Sequence, residues 1–369
     1  MRTLTFVLGA LFACSSSPRP LSDAGNDAGN DPLDAAPDAA TDAPTADAAA
    51  PCACLPGPHQ DNIYLLSDSG EVWTFDPANG AFDFVVGPVC RGATPFSMAV
   101  DTRGRAFINL ADSLDVVVLD LLSPGACDAA SYVRTNPDFG LFGMSFASAS
   151  ATDYCSDLYV MTYSGDGPFA EGPGLGRLGR IDSAGELSVL APVDFDGGEL
   201  TGTGDGRLFA FAGDDPVKLV EYDKDTGLLL QTLPLEGVRK TNASAVAFFG
   251  GDIYIFTESV PVECESCMAR ECGDALDTCR DDAVCDEQLE CVLATTRFTD
   301  ECGGGLSAEM MDCLPRCDAC LMPPRTRVSR VIRYDLDMSD GGGFTSLDDV
   351  APIRVVGAAS SPCVPVGPI

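Results

Sequence analysis

The chain has one histidine, His59, one tryptophan, Trp73, and only 22 Lys and Arg against 56 Asp and Glu, a net charge of −34 over 369 residues. Each shortage excludes something. A Ser–His–Asp or Cys–His nucleophile, or a metal site built on several imidazoles, would have to use His59. His59 follows a polar low-complexity segment and reads as an exposed loop residue. Nucleic acid is a poor partner, because binding phosphates needs clustered Lys and Arg to displace counterions. The one basic cluster, Arg325, Arg327, Arg330 and Arg333, reads as neutralising nearby acids. Beyond Phe12 no run is long and apolar enough to span a bilayer. No Gly-rich loop leads into a helix as a phosphate cradle does, and Leu175-Gly176-Arg177-Leu178-Gly179 lacks the helix.

Cysteine is abundant instead: 17 residues, an odd number. Met1-Arg2-Thr3 precedes a short apolar run, Leu4 to Phe12, with the size of a signal-peptide core. The following Leu11-Phe12-Ala13-Cys14 resembles the lipobox of bacterial lipoproteins. That resemblance implies a signal peptide over 1–13, lipidation of Cys14, and attachment to the membrane through that lipid only. Setting Cys14 aside leaves an even 16 that can all pair, as an oxidising compartment requires. Residues 14–51 are rich in Ala, Asp and Pro and hold no aromatic residue. Such a stretch buries too little apolar surface to offset chain entropy, and it reads as a disordered acidic tether. The expected address is the bacterial cell envelope.

The folded part announces itself by a repeat. A hydrophobic strand ends in an apolar or aromatic residue followed by Asp at Phe75-Asp76, Leu119-Asp120, Ile181-Asp182, Tyr222-Asp223 and Tyr334-Asp335. The steps are 44, 62, 41 and 112 residues. The longer two contain a Gly/Pro-rich run, Ser164 to Gly179, which reads as a loop, and a Cys-rich block. Without them the period is about 42, that of a four-stranded blade. Further β-rich runs keep step, such as Ile63–Leu66, Phe96–Val100, Ser131–Arg134 and Ile353–Val356, with Gly/Asp turns between them. The expectation is an all-β chain, a five-bladed β-propeller with six blades as the alternative, over 52–262 and 323–369. The tail, Ala358 to Val366, would supply the first blade's missing strand and close the ring. The pattern resembles β-propellers of the NHL and gluconolactonase-like kinds.

The block at 263–322 carries Cys264, Cys267, Cys272, Cys279, Cys285, Cys291, Cys302, Cys313, Cys317 and Cys320. Cys313, Cys317 and Cys320 recur at helical spacing, and the block reads as a small α-helical insertion stapled by disulfides. Zinc is the rival for the two C-x2-C pairs, but the block has no histidine and follows an export signal. Six more cysteines, Cys52, Cys54, Cys90, Cys127, Cys155 and Cys363, lie in the propeller segments. Cys363 could bond Cys52 or Cys54 and lock the ring.

Two acidic turns, Asp194-Phe195-Asp196-Gly197-Gly198-Glu199 and one bearing Asp335, Asp337 and Asp340, are candidate calcium ligands. Both depart from the spacing of a helix–loop–helix calcium site. The recurring marker aspartates read as Asx turns. The function expected is a non-enzymatic binding module for a protein or glycan at the cell envelope. The alternatives are a calcium-dependent hydrolase or lactonase-like propeller enzyme, and a structural surface lipoprotein.

Overall fold

The computed structural model describes residues 52–368 apart from 165–169, 214–215, 239–240, 242, 261, 296–303, 322–326 and 337–342. The expected signal segment, Cys14 and the expected tether therefore lie outside the described residues. Among those residues, strands form five four-stranded antiparallel sheets, the blades of a propeller. The first blade holds β1 (Ile63–Ser67), β2 (Val72–Asp76) and β3 (Ala81–Val86). The second holds β4 (Pro95–Val100), β5 (Arg105–Leu110), β6 (Val116–Asp120) and β7 (Asp128–Ala129). The third holds β8 (Leu141–Ser150), β9 (Asp153–Tyr163), β10 (Ala170–Ile181) and β11 (Leu187–Asp196). The fourth holds β12 (Glu199–Gly202), β13 (Leu208–Ala212), β14 (Lys218–Tyr222) and β15 (Leu229–Pro234). The fifth holds β16 (Ser244–Phe249), β17 (Asp252–Ser259), β18 (Val328–Asp335) and β19 (Phe344–Ala351). Then β20 (Val355–Ala359) returns to the first blade and pairs antiparallel with β1, Leu65 opposite Ala358.

The innermost strands β4, β8, β12, β16 and β20 touch in succession and close the ring. Each leaves one edge of its backbone without a sheet neighbour, and those groups need partners. Hydroxyls on the preceding blade meet part of that need. Ser97 Oγ donates to the Phe142 carbonyl at 2.5 Å, Gly202 N–H donates to Ser145 Oγ at 2.8 Å, and Phe248 N–H donates to Thr201 Oγ1 at 2.8 Å. The approach is close enough that a Cβ on Gly202 would overlap the Phe146 carbonyl. Apolar side chains fill the space between blades, with Phe75, Phe209, Phe211 and Phe256 among the largest fully buried.

The repeat markers act locally. Asp76, Asp120, Asp182 and Asp223 each accept from the backbone N–H two residues on, the Asx geometry that opens the next hairpin.

Five sequence expectations need correction. The outer strand of the fifth blade is Phe344–Ala351, not Ile353–Val356, and the closing strand is Val355–Ala359 rather than Ala358 to Val366. The outer strand of the second blade is Asp128–Ala129, and Ser131–Arg134 belongs to the following link, where Tyr132 OH donates to the Phe139 carbonyl. Outermost strands are wetted on one face, so Phe344–Ala351 tolerates a polar composition that reads poorly as strand. The glycine run is not a loop throughout, because Ala170–Ile181 is a strand. His59 is not an exposed loop residue: it is fully buried in a 3-10 turn, between Gly57, Gly104 and Leu122. Burial lowers its pKa, against the Thr102 backbone and the Asp101 carboxylate.

Disulfides fix the entry of the chain. Cys52 is bonded to Cys155 and Cys54 to Cys363, while Cys90 is bonded to Cys127. Leu55 N–H donates to the Thr102 carbonyl at 3.1 Å.

Between β17 and β18 the chain leaves the blade, and its described residues there form five helices: α1 (Val262–Glu271), α2 (Gly273–Arg280), α3 (Ala283–Thr295), α4 (Ala308–Cys313) and α5 (Asp318–Leu321). Three disulfides nest, Cys264–Cys320, Cys267–Cys317 and Cys272–Cys313, and Cys279–Cys285 joins α2 to α3. Cys291 is also disulfide-bonded, and Cys302 lies outside the described residues. The nested pattern bonds each C-x2-C pair to the other. Met268, Leu289, Val292, Met310 and Leu314 pack among the sulfurs in a core separate from the blades. At the root of the insert Glu258 takes both Arg327 and Arg354, and Arg330 pairs with Glu265; at the other end of the same strands Arg333 pairs with Asp252. Arg325 lies outside the described residues.

Replacing Cys54 and Cys363 together by Ser opens a covalent loop of 309 residues. The expected loss is on the order of 3–5 kcal/mol. Calorimetry should show a lower unfolding midpoint, and hydrogen exchange should quicken first in β1 and β20. An unchanged midpoint would mean that strand pairing closes the ring without the bond.

Candidate functional site: a cleft beside the third blade

In this connectivity every hairpin joining the second and third strands of a blade opens on the same face as every link between blades. The β5–β6 turn, the β7–β8 link, the β9–β10 hairpin and the β11–β12 link all meet there. Between them is a cleft of about 510 Å³. Leu114, Pro137, Leu141 and Leu175 give it apolar walls, and Thr162, Tyr163, Ser164, Asp138, Arg177 and Asp196 give it polar ones.

The wall at Leu175 and Arg177 is made by a break in β10. Glu171 faces Phe195 and Gly176 faces Val193, so Gly172-Pro173-Gly174-Leu175 bulges out opposite Asp194. Asp194 Oδ1 accepts from Gly174 N–H at 2.9 Å and holds the bulge. Gly176 is required where the strand re-enters the sheet, since a Cβ there would overlap the Phe195 carbonyl. Arg177 follows, with Nη1 donating to the carbonyls of Gly174 and Gly176, both at 2.8 Å. Such bulges re-aim side chains. Opposite, Leu114 sits at φ 61, a left-handed conformation that a branched side chain adopts only under constraint. Tyr163 stacks on Phe96 at 5.2 Å.

Asp196 forms the floor and is 3 % exposed. Its Oδ2 accepts from Ser164 N–H at 2.8 Å and Ser164 Oγ at 2.6 Å, and its Oδ1 from Thr162 Oγ1 at 3.3 Å. It ties the start of the β9–β10 hairpin to the end of β11.

Three of the candidate calcium ligands can thus be placed. Asp194 and Asp196 lie at i and i+2 of β11; Asp194 accepts from Gly174 N–H through Oδ1, and Asp196 accepts through both oxygens. Glu199 begins β12 and lies outside the cleft lining. Among the described residues these three carboxylates do not form a group with all ligand atoms within 4.8 Å of one another. Asp335 ends β18 opposite Asp252, and Asp337 and Asp340 lie outside the described residues. Arg177 and Leu114 were missed from sequence. The available signal was Gly-Pro-Gly ahead of an arginine that no acid flanks.

Glu199 has a different character. Burial pushes its carboxyl up to about 8, so near neutrality it is protonated. Its ordinary value is 4.5. Between 4.5 and about 8 the folded chain holds a proton that the unfolded chain releases. Stability from this group is therefore fully present below 4.5 and is lost as pH rises through about 8. Glu199→Gln should match the parent's melting temperature in acid and exceed it in mildly alkaline buffer. Equal midpoints at both pH values would refute the raised pKa.

No protein-family model and no curated protein matches the chain. Solved structures resemble it at the level of fold. A chain of the nidogen–laminin complex is 9% identical over 81% of this chain and 97% of its own, with a TM-score of 0.41. A virginiamycin B lyase of Staphylococcus aureus is 14% identical over 56% of this chain and 70% of its own, TM-score 0.33. PorZ, a surface component of the type-IX secretion system of Porphyromonas gingivalis, is 15% identical over 53% of this chain, TM-score 0.32. The match spans 22% of PorZ's own length.

Proposed function

We propose that the chain is an exported, lipid-anchored protein of the cell envelope whose propeller is a non-enzymatic binding module for a protein or glycan partner. The cleft beside the third blade is its binding site. The observation that carries this reading is the cleft's construction: apolar walls around a few fixed polar groups, the usual make-up of a ligand site. Its floor carboxylate is engaged in holding loops, which suits recognition better than turnover. The seven described disulfides are the kind formed and kept in oxidising compartments, in agreement with an extracellular or envelope setting. Cys14 would carry the lipid, and residues 14–51 would be the tether. The balance of 56 acidic against 22 basic side chains speaks against nucleic acid.

One observation favours the enzyme reading, a calcium-dependent hydrolase or lactonase-like propeller. Protonated Glu199 could serve as a general acid. That reading needs a metal with free carboxylate oxygens around it, and Asp194 and Asp196 offer few.

In cells, Cys14→Ser should move the protein from the membrane fraction to the soluble one. In vitro, the full chain should be retained on immobilised envelope polysaccharide or on purified envelope proteins, tried separately. Leu175→Glu, at a side chain 53% exposed, should cut that retention at least about tenfold, the equivalent of ~1.4 kcal/mol. Calcium-dependent turnover of a lactone or ester, abolished by Glu199→Gln, would instead establish the enzyme.

A further inference from the structure

Arginines in this acidic chain generally face a carboxylate. Arg105 pairs with Asp101, Arg207 with Glu221, Arg327 with Glu258 and Arg333 with Asp252. Arg177 differs. It is half-buried in the cleft wall, and among the described residues it makes no ion pair. Its Nη1 is bound to two backbone carbonyls, which fix the guanidinium plane. Nε and Nη2 have no partner among the described residues. Those are the two nitrogens with which Arg207 takes Glu221 side-on, at 2.8 and 3.0 Å. Asp196 shares the cleft, but its oxygens are taken by Thr162 and Ser164.

We infer that the cleft binds an organic carboxylate with an apolar body: Arg177 receives the carboxylate side-on through Nε and Nη2, and Leu114, Leu141 and Leu175 pack the body. The inference rests on the cleft being the binding site and adds the chemistry of its ligand. A fixed guanidinium suits a carboxylate because two parallel N–H donors match its two oxygens. Two acidic side chains, Asp138 and Asp196, also line the cleft, but neither pairs with Arg177, so its Nε and Nη2 remain open to a ligand's carboxylate. The leucines contribute by removing apolar surface from water. The strained backbone of Leu114 and the bulge carrying Leu175 are the two irregular features of the lining, and both supply apolar walls. Two sources share this chemistry: a small free acid, and the C-terminal carboxylate of a peptide ending in an apolar residue.

The test is calorimetric titration of the full chain with four probes: N-acetyl-L-leucine, N-acetyl-L-leucinamide, N-acetyl-Gly-Gly-Leu with a free carboxylate, and glucuronate. N-acetyl-L-leucine should bind at least about tenfold more tightly than its amide, and Arg177→Gln should remove that difference. Arg177→Lys should keep part of it, because the charge stays and the side-on fork is lost. Leu175→Glu puts a competing carboxylate into the cleft at an exposed position and should weaken both acids, with an unchanged melting temperature confirming the fold. Tighter binding of the peptide acid than of N-acetyl-L-leucine assigns the ligand to a chain terminus, and equal binding assigns it to a free acid. The inference falls if acid and amide bind alike, if glucuronate binds more tightly than either leucine acid, or if no probe binds at millimolar concentration. If acid and amide bind alike and Leu175→Glu weakens both, the cleft remains the binding site and only the carboxylate assignment is lost. If both bind and Leu175→Glu changes neither, the binding reading of the cleft is lost as well.

Discussion

The closure of the ring governs everything else in this molecule. Five sheets packed face to face around a ring make a stable body when the last strand returns to the first. Here the return is β20 on β1, and the Cys54–Cys363 bond sits at the same seam. Without it β1 would offer a bare edge, which invites pairing with other chains. Closure also keeps the inner strands in register, so that the hydroxyls of Ser97, Ser145 and Thr201 meet backbone groups of the next blade. Those bonds are short and buried, and each would leave an unsatisfied polar group if the blades slipped.

A closed ring has two unequal faces. The chain enters on the face of the first hairpins: Leu55 binds the β4–β5 turn, Cys52 is bonded to Cys155 just after the β8–β9 turn, and Cys363 contacts Thr102. The cleft and the root of the helical insert lie on the other face, because the hairpins and links that bear them open there. The insert carries its own core and its own disulfides, so it adds surface to that face without relying on the blades for packing.

Much of the architecture was legible in the sequence, and the reasons are local. An Asx turn needs its Asp at one position, so Asp76, Asp120, Asp182 and Asp223 recur wherever a hairpin opens. Inner and second strands are buried on both faces, so Ile63–Ser67 and Leu208–Ala212 read as continuous apolar runs. Outer strands are not, and Phe344–Ala351 with its paired aspartates could not be told from a loop. His59 was misread for a different reason. Its burial comes from Gly104 and Leu122 and from a segment held down by Cys52 and Cys54, contacts far away in the chain.

The cleft was the least legible part because its key constraint looks like an absence of one. Gly172-Pro173-Gly174 and Gly176 suggest slack chain, yet each answers a requirement of the sheet. The bulge lets β10 keep its ladder to β11 while one turn of chain swings out. Gly176 lets the Phe195 carbonyl approach, and Asp194 pins the swing at Gly174. Only with that backbone fixed do two carbonyls converge on Nη1 of Arg177 and leave its other edge open. Low side-chain content around Arg177 is therefore what immobilises it: the restraint comes from main-chain groups, which sequence patterns do not display. An arginine held by carbonyls keeps its full charge, whereas one held by a carboxylate has its charge cancelled. That difference is what separates Arg177 from Arg207 on the neighbouring blade.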